Sequence, residues 1–213
     1  MRFERKFRIE GPTYDEVRQV LITHPAGFRK TYNDRWINTL YLDTPNFDFF
    51  RDTTQGMATR YKPRIRWYGR DITQALVPTL EIKTKKNKGR SKHLDILPEF
   101  FIEDDFSFKE YVREHLNRPE FAHLIPSVLV RYERSYFESA NGLVRATLDR
   151  NLMYFPVTTD ANLGHKPYQD SAIILEIKYV TASDAEVDFI TQYLPFRLTK
   201  SSKYATAVKA CYE

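Results

Sequence analysis

Residues 60–67 are Arg-Tyr-Lys-Pro-Arg-Ile-Arg-Trp, a stretch with a cation at every second position. Side chains alternate between the two faces of a β-strand, so this pattern predicts a strand with one basic and one apolar face. Ile65 and Trp67 would face the core. The basic face would carry Arg60, Lys62, Arg64 and Arg66.

The same period of two recurs along the chain and predicts a large, mainly antiparallel sheet or barrel. Helix starts are indicated where Ser or Thr precedes Glu by three residues, at Thr13, Ser107 and Ser183, and where Thr44 precedes a proline. These elements together predict an α+β fold. The predicted strands cover 2–10, 37–43, 58–68, 78–86, 128–138, 143–149 and 171–179, and a turn at 87–89 leads to a further strand near Ser91.

The 213 residues contain no linker or repeat, so we expect a single domain over residues 1–213. Lys and Arg number 33 against 28 Asp and Glu, which gives a formal net charge of +5. Only seven glycines occur, and neither a Gly-x-Gly pair nor a P-loop is present. A bound phosphate would therefore be held by side chains.

Cys211 is the single cysteine, which excludes an internal disulfide and a zinc site built from cysteines. No apolar run approaches the roughly 20 residues of a membrane-spanning helix. The first residues are charged and lack the apolar stretch of a signal peptide. We therefore expect a cytoplasmic protein without a membrane span.

Glutamate precedes lysine by two residues on three of the predicted strands, which places each pair on one face. Such carboxylates suit Mg²⁺ or Mn²⁺, hard cations that take oxygen ligands and bridge phosphate oxygens. Each pair alone is also typical of an ordinary solvated surface. The three pairs are Glu4 and Lys6, Glu81 and Lys83, and Glu176 and Lys178.

Neighbouring cations on a sheet repel one another unless an anion lies between them. If the strands closed into a barrel with these faces inward, the lumen would be a basic tunnel that suits a chain of phosphates. An ordinary sheet with a solvated outer face also fits the pattern. A nucleic-acid partner is disfavoured, because the aromatic residues alternate opposite the basic ones rather than beside them.

The chain resembles the triphosphate tunnel metalloenzymes, and among them the VTC domain, a polyphosphate polymerase module. The resemblance extends over nearly the whole chain and depends on the number and order of its motifs. These motifs are Phe3-Glu-Arg-Lys-Phe7, Tyr41-Leu-Asp-Thr-Pro45, Arg64-Ile-Arg66, Leu80-Glu-Ile-Lys83, Tyr132-Glu-Arg-Ser-Tyr-Phe137, Val144-Arg-Ala-Thr-Leu-Asp149, Leu175-Glu-Ile-Lys178 and Lys200-Ser-Ser-Lys-Tyr204.

The resemblance implies a closed antiparallel β-barrel tunnel with flanking helices and a Mn²⁺ or Mg²⁺ cofactor. Its metal ligand would be Glu176, with Glu4 and Glu81 as further candidates. Hydroxyl contacts would come from Tyr132 and Ser202. The phosphate-binding lining would be Lys6, Arg64, Arg66, Lys83, Arg134, Arg145, Lys200 and Lys203. The basic run around residues 83–92 is also typical of a solvated hairpin; alternatively, Lys85, Arg90 and Lys92 line the mouth of the tunnel and contact substrate, as Lys178 would inside it.

The resemblance further implies a polymerase that moves the γ-phosphate of ATP to a growing polyphosphate chain. Relatives that hydrolyse triphosphates open with Glu-x-Glu-x-Lys, whereas Arg2 replaces the first glutamate here, which favours the polymerase. Two alternatives stay open. One is a triphosphatase acting on inorganic triphosphate or nucleoside triphosphates, and the other is a polyphosphate-binding module without catalysis.

Overall fold

The computed structural model describes residues 2–86, 89–116, 119–157, 166–180 and 184–213. The α-helices are α1 (Tyr14–Ile22), α2 (Asp48–Gln55), α3 (Phe108–His115), α4 (Asp184–Gln192) and α5 (Lys203–Tyr212), with a 3₁₀ turn at Pro119–Phe121. The strands are β1 (Arg2–Ile9), β2 (Arg29–Asp43), β3 (Arg60–Tyr68), β4 (Gln74–Ala75), β5 (Thr79–Lys86), β6 (Gly89–Ile96), β7 (Phe100–Phe101), β8 (Ile125–Glu138), β9 (Arg145–Pro156), β10 (Tyr168–Asp170) and β11 (Ile173–Val180).

The main sheet has the hydrogen-bonded order β1-β11-β9-β8-β2-β3-β5-β6, with β10 beside β9. The pairs β1–β11, β11–β9, β2–β3, β3–β5 and β5–β6 are antiparallel. The predicted α+β class and antiparallel sheet are therefore confirmed. The order has two ends, β1 and β6, so the described strands do not form the closed hydrogen-bonded ring that we expected. At the β6 end, residues 91, 92, 94 and 96 are exposed.

The chain divides into two compact units, each with its own apolar core. The first comprises Met1–Arg35, Tyr132–Leu152 and Asp170–Ser201, and its core includes Phe7, Leu148 and Leu175. The second comprises Trp36–Arg131, Met153–Gln169 and Ser202–Glu213, and its core includes Leu40, Trp67 and Phe108. The single-domain organisation stays a prediction.

The helix starts follow the capping pattern, with one exception. Thr13 and Glu16 form the predicted reciprocal cap of α1, and the Ser107 side chain accepts a hydrogen bond at the start of α3. Ser183 lies outside the described residues. The helix expected at Thr44 begins at Asp48 instead. The reason is Asp43, whose carboxylate accepts the backbone N–H groups of Thr44 and Phe49 and thereby fixes a turn before the helix.

Several strands are longer than the pattern predicted. Strand β2 begins at Arg29 rather than near residue 37, and its first five residues are all exposed, so burial does not alternate there. Strand β9 continues to Pro156 rather than ending near residue 149. Residues 87 and 88 of the expected turn lie outside the described part. Among the described residues, no helix is long and apolar enough to cross a membrane.

Candidate functional site

Strands β3, β5 and β6 of the second unit carry a strongly cationic face. The register places Lys62 opposite Lys83, and Lys83 opposite Lys92. The three lysines therefore form a row that runs across the three strands. Ile65 and Trp67 are buried on the other side, as the alternation predicted. We call the cationic side the basic face; its described cations are Arg60, Lys62, Arg64, Arg66, Lys83, Lys85 and Lys92, and the one carboxylate among these described positions is Glu81.

Glu81 is bound by three cations of the basic face. Arg64 donates to Oε2 from Nε at 2.7 Å and again from Nη2, and Lys92 Nζ lies 3.0 Å from Oε1. Arg66 Nη1 lies 3.6 Å from Oε2. Burial raises the pKa of Glu81, but the charges of Arg64 and Arg66 and the hydrogen bonds outweigh burial and lower this pKa to about 2. Glu81 therefore stays ionised and fixes the Arg64 guanidinium.

The start of α5 contacts the basic face through Ser202. The Ser202 side chain accepts a hydrogen bond from Lys62 Nζ at 3.0 Å and caps the helix by accepting the N–H of Ala205. Lys203 is the first residue of the helix. Free N–H groups at a helix start favour anions, so this end of α5 adds to the positive potential of the face.

A buried tyrosine fixes α5 near its start. The Tyr204 hydroxyl donates to the Asp43 carboxylate, which is fully buried. The Tyr204 ring stacks on Tyr41 with the centroids 4.8 Å apart, and the Tyr41 hydroxyl accepts from Arg64 Nη1 at 3.5 Å. These contacts connect the helix to an arginine of the basic face. The sequence analysis gave no role to Asp43 or Tyr204, although both belong to quoted motifs.

In the first unit, strands β1 and β11 bring acidic and basic side chains together. Lys6 lies opposite Glu176, and its Nζ lies 2.7 Å from Glu4 Oε1 and 3.3 Å from Glu176 Oε1. Lys178 Nζ lies 3.2 Å from Glu176 Oε2. Burial lowers the pKa of Lys6, but the two carboxylates outweigh burial and raise it, so the ammonium stays charged. We call this the mixed face; its members are Glu4, Lys6, Arg134, Asp149, Glu176 and Lys178.

Arg134 is held on the mixed face by Asp149. Its Nε and Nη2 donate to the two carboxylate oxygens at 2.5 and 2.7 Å, and Nη2 lies 3.8 Å from Glu176 Oε2. Arg134 Cζ lies 5.3 Å from the ring centroid of Tyr132, which is also buried. The sequence analysis missed the role of Asp149. Asp149 follows Thr147 by two residues, as Thr147 follows Arg145, so the alternating pattern of this strand already placed the three side chains on one face.

Three further residues of the predicted site have different surroundings. Arg145 lies directly opposite Lys178, but its guanidinium pairs with Glu138 at 3.1 Å, and 70% of the Arg145 side chain is exposed. Lys200 is exposed and precedes α5 in the first unit. Arg90 stands opposite Lys85 in β6, and its side chain lies outside the description. Their roles stay predictions.

The mixed face offers a donor set that suits a divalent cation. Glu4 and Glu176 both approach the Lys6 ammonium, so their oxygens already share one cation. Mg²⁺ is commonly held by one or two carboxylates together with substrate phosphates and water. No cluster of three acidic, His or Cys ligands occurs among the described residues. The two-carboxylate set fits Mg²⁺ or Mn²⁺ completed by phosphate oxygens, although Glu176, like Glu81, lies against three cations of the protein. Glu81 as a metal ligand stays a prediction.

Solved structures from several organisms have a similar fold. No curated protein sequence matches the chain. A Pyrococcus horikoshii OT3 protein has a TM-score of 0.54 at 15% identity and covers 99% of both chains. A Hippeastrum protein provisionally assigned as an adenylyl cyclase, with a dominant triphosphatase activity, has a TM-score of 0.51 at 16% identity over 99% of this chain and 96% of its own.

A Bacillus halodurans protein, also provisionally assigned as an adenylate cyclase, has a TM-score of 0.56 at 12% identity over 100% of this chain and 98% of its own. Likeness at these identities shows that this chain shares the fold of these proteins. The family model described as the VTC domain matches residues 1–212. The chain therefore belongs to the VTC domain family.

Proposed function

We propose that the protein is a polyphosphate polymerase that transfers the γ-phosphate of ATP to the end of an inorganic polyphosphate chain. The observation that carries this proposal is the basic face, where seven described cations share one side of three strands with a single carboxylate. Neighbouring strands lie about 4.8 Å apart, and alternate residues of one strand about 6.6 Å apart. A linear polyanion with one charge on each unit fits such a closely spaced array.

The cations of the basic face are of two kinds with different tasks. Arg64 and Arg66 present planar guanidinium groups, which bind phosphate oxygens in pairs and keep their charge. Glu81 holds Arg64 in a fixed geometry, so little side-chain entropy is lost when phosphate binds. Lys62 and Lys83 are flexible point charges that suit the successive units of a chain.

A divalent metal, Mn²⁺ or Mg²⁺, completes the proposed site. Glu4 and Glu176 would hold it together with phosphate oxygens. When bound, the metal supplies positive charge that neutralises the phosphates during transfer. Lys6 and Lys178, which contact Glu176, would keep this carboxylate oriented toward the same face.

The reaction needs no nucleophile from the protein. A terminal oxygen of the polyphosphate chain attacks the γ-phosphorus of ATP in line. The bond between that phosphorus and the bridging oxygen of the β-phosphate breaks, and ADP leaves with the bonding electron pair. The chain gains one unit. The protein's cations bind both reactants and neutralise their charge, which is the main demand of phosphoryl transfer.

Hydrolysis is the second candidate, and the triphosphatase activity of the Hippeastrum protein favours it. A hydrolase needs a group that orients or deprotonates water. The carboxylates of both faces are bonded to cations: Glu81 to Arg64, Asp149 to Arg134, and Glu176 to Lys178. A carboxylate with a pKa of about 2, such as Glu81, is also a weak base. These contacts support transfer to a phosphate acceptor over transfer to water.

One assay separates the candidate functions. Purified protein is incubated with ATP and Mn²⁺, and chain length on a gel is followed together with free phosphate and ADP. Long chains with equivalent ADP support the polymerase, and free phosphate without chains supports the hydrolase. Tight polyphosphate binding without either product would leave a binding module. We place the reaction in the cytoplasm as part of the same proposal.

Variants test whether the basic face carries the activity. Arg64→Ala should reduce turnover at least about 100-fold, because it removes a charge-assisted contact to the transferring phosphate. The exposed Arg113 of α3 provides the control, and Arg113→Ala should keep full activity. Circular dichroism checks that both variants fold. Full activity in a folded Arg64→Ala variant would overturn the assignment of the basic face.

A further inference from the structure

Two aliphatic side chains interrupt the basic face at one end of β6. Leu94 is 52% exposed and Ile96 is 76% exposed. Leu94 lies directly opposite Glu81, and Ile96 directly opposite Thr79, so both project on the side of the phosphate-binding cations. The contact between Lys92 Nζ and Glu81 at 3.0 Å confirms which way the even-numbered residues of β6 point.

The register connects these aliphatic residues to the two arginines. Arg64, Glu81 and Leu94 form one row across the three strands. Arg66, Thr79 and Ile96 form the next row. Two strand spacings separate the members of each row, about 10 Å between backbones. If the phosphates of a ligand contact the arginines, the group attached to those phosphates would therefore reach Leu94 and Ile96.

The exposure of these two side chains is not required by the core. The opposite side of the same sheet supplies the buried Leu80 and Ile82, whose strand neighbours in β6 are Asp95 and His93. Leu94 and Ile96 are not part of the core cluster. Exposed aliphatic residues on the end strand of a sheet favour unwanted pairing, so their presence beside a charged site is costly unless a ligand covers them.

We propose that Leu94 and Ile96 form the contact surface for the nucleoside of a nucleoside triphosphate, an inference that depends on the proposed function. A nucleoside triphosphate has charged phosphates at one end and a flat, largely apolar base at the other. The face likewise has cations, which suit the phosphates, and an apolar end, which suits the base. Inorganic triphosphate has no group to place there. The surface thus selects a nucleoside triphosphate over inorganic triphosphate as the phosphate donor.

The test compares two ligands that differ in the nucleoside. Titration calorimetry measures binding of adenylyl imidodiphosphate, an ATP analogue that resists transfer, and of tripolyphosphate, both with Mn²⁺. In the double variant Leu94→Thr and Ile96→Thr, the analogue should bind about tenfold more weakly, because apolar contact with the base is lost. Tripolyphosphate should bind within about twofold of the wild type.

Leu143 provides the matched control, since it is 51% exposed and lies outside the three strands of the basic face. Leu143→Thr should change neither affinity. The conservative pair Leu94→Met and Ile96→Val should keep the affinity for the analogue. Equal affinities of the double variant and the wild type for the analogue, or an equal loss for both ligands, would overturn the inference while leaving the proposed function intact.

The alternative to a nucleoside is a second copy of the chain, which would pair with the exposed end strand β6. If the double variant changes only the oligomeric state, measured by light scattering, and not the affinity for the analogue, the inference is overturned. Failure of the wild type to bind either ligand would instead overturn the proposed function, and this inference with it.

Discussion

Glu81 places a negative charge within the basic face, and its low pKa connects that charge to stability. The pKa of about 2 in the folded protein lies below the ordinary 4.5. Ionised Glu81 therefore stabilises the folded state above pH 4.5, and this stabilisation is lost as the pH falls from 4.5 toward 2. The bond to Arg64 thus contributes to stability at neutral pH and loses its contribution in acid.

The variant Glu81→Gln keeps the shape of the side chain and removes the charge. We expect the wild type to exceed the variant in free energy of unfolding at about pH 6, and this difference to shrink at about pH 3. Urea unfolding at both pH values measures the difference. The same difference at both pH values would show that the ion pair with Arg64 does not stabilise the fold.

Among the elements, α5 is held in part by the buried hydroxyl of Tyr204. Tyr204→Phe keeps the ring stacked on Tyr41 but leaves the buried Asp43 carboxylate without this donor. We expect a loss of about 1–3 kcal/mol in the free energy of unfolding. Tyr68→Phe is the control, since Tyr68 ends strand β3 and is 51% exposed. Equal losses in urea unfolding would contradict the anchoring role.

Strands β3 and β5 hold like charges opposite each other, as at Arg60 and Lys85. Such pairs destabilise a sheet by a few tenths of a kcal/mol up to about 1. Lys85→Gln should therefore leave stability unchanged or raise it slightly, and it should weaken polyphosphate binding. Lys109→Gln, at an exposed position of α3, should affect neither. Unfolding and binding measured on both variants check this, and a destabilised Lys85→Gln variant would contradict it.

For the whole molecule, binding of a polyanion should appear as thermal stabilisation that salt removes. A ligand at 100 times its dissociation constant adds about 2.7 kcal/mol of stability. Tripolyphosphate should therefore raise the melting temperature by several degrees at low salt, and sodium chloride should reduce this rise, because counterions compete for the cations. Scanning calorimetry across a salt series measures it, and a rise independent of salt would exclude binding governed by charge.

The sequence predicted the sheet and its charged face because alternation is a local property. Residues 60–67 show it within eight positions, and the faces of Arg64 and Trp67 follow directly. The pairing of Arg64 with Glu81 depends on the register between β3 and β5, which no local pattern specifies. Strand β2 was underestimated because residues 29–33 are all exposed and show no alternation. Tertiary contacts also determine the late start of α2, through Asp43.

The pairing of β1 with β11 has a consequence for biosynthesis. Residues 2–9 find their partners among residues 173–180, so β1 must wait until β11, more than 160 residues later in the chain, has been synthesised. At typical rates of translation this wait is on the order of ten seconds. During that interval β1 exposes Phe7 and Ile9, which the finished protein buries. The charges of Lys6 and Arg8 alternate with these apolar residues, and charges on an unpaired strand disfavour pairing with other chains, so they protect the nascent protein until β11 arrives.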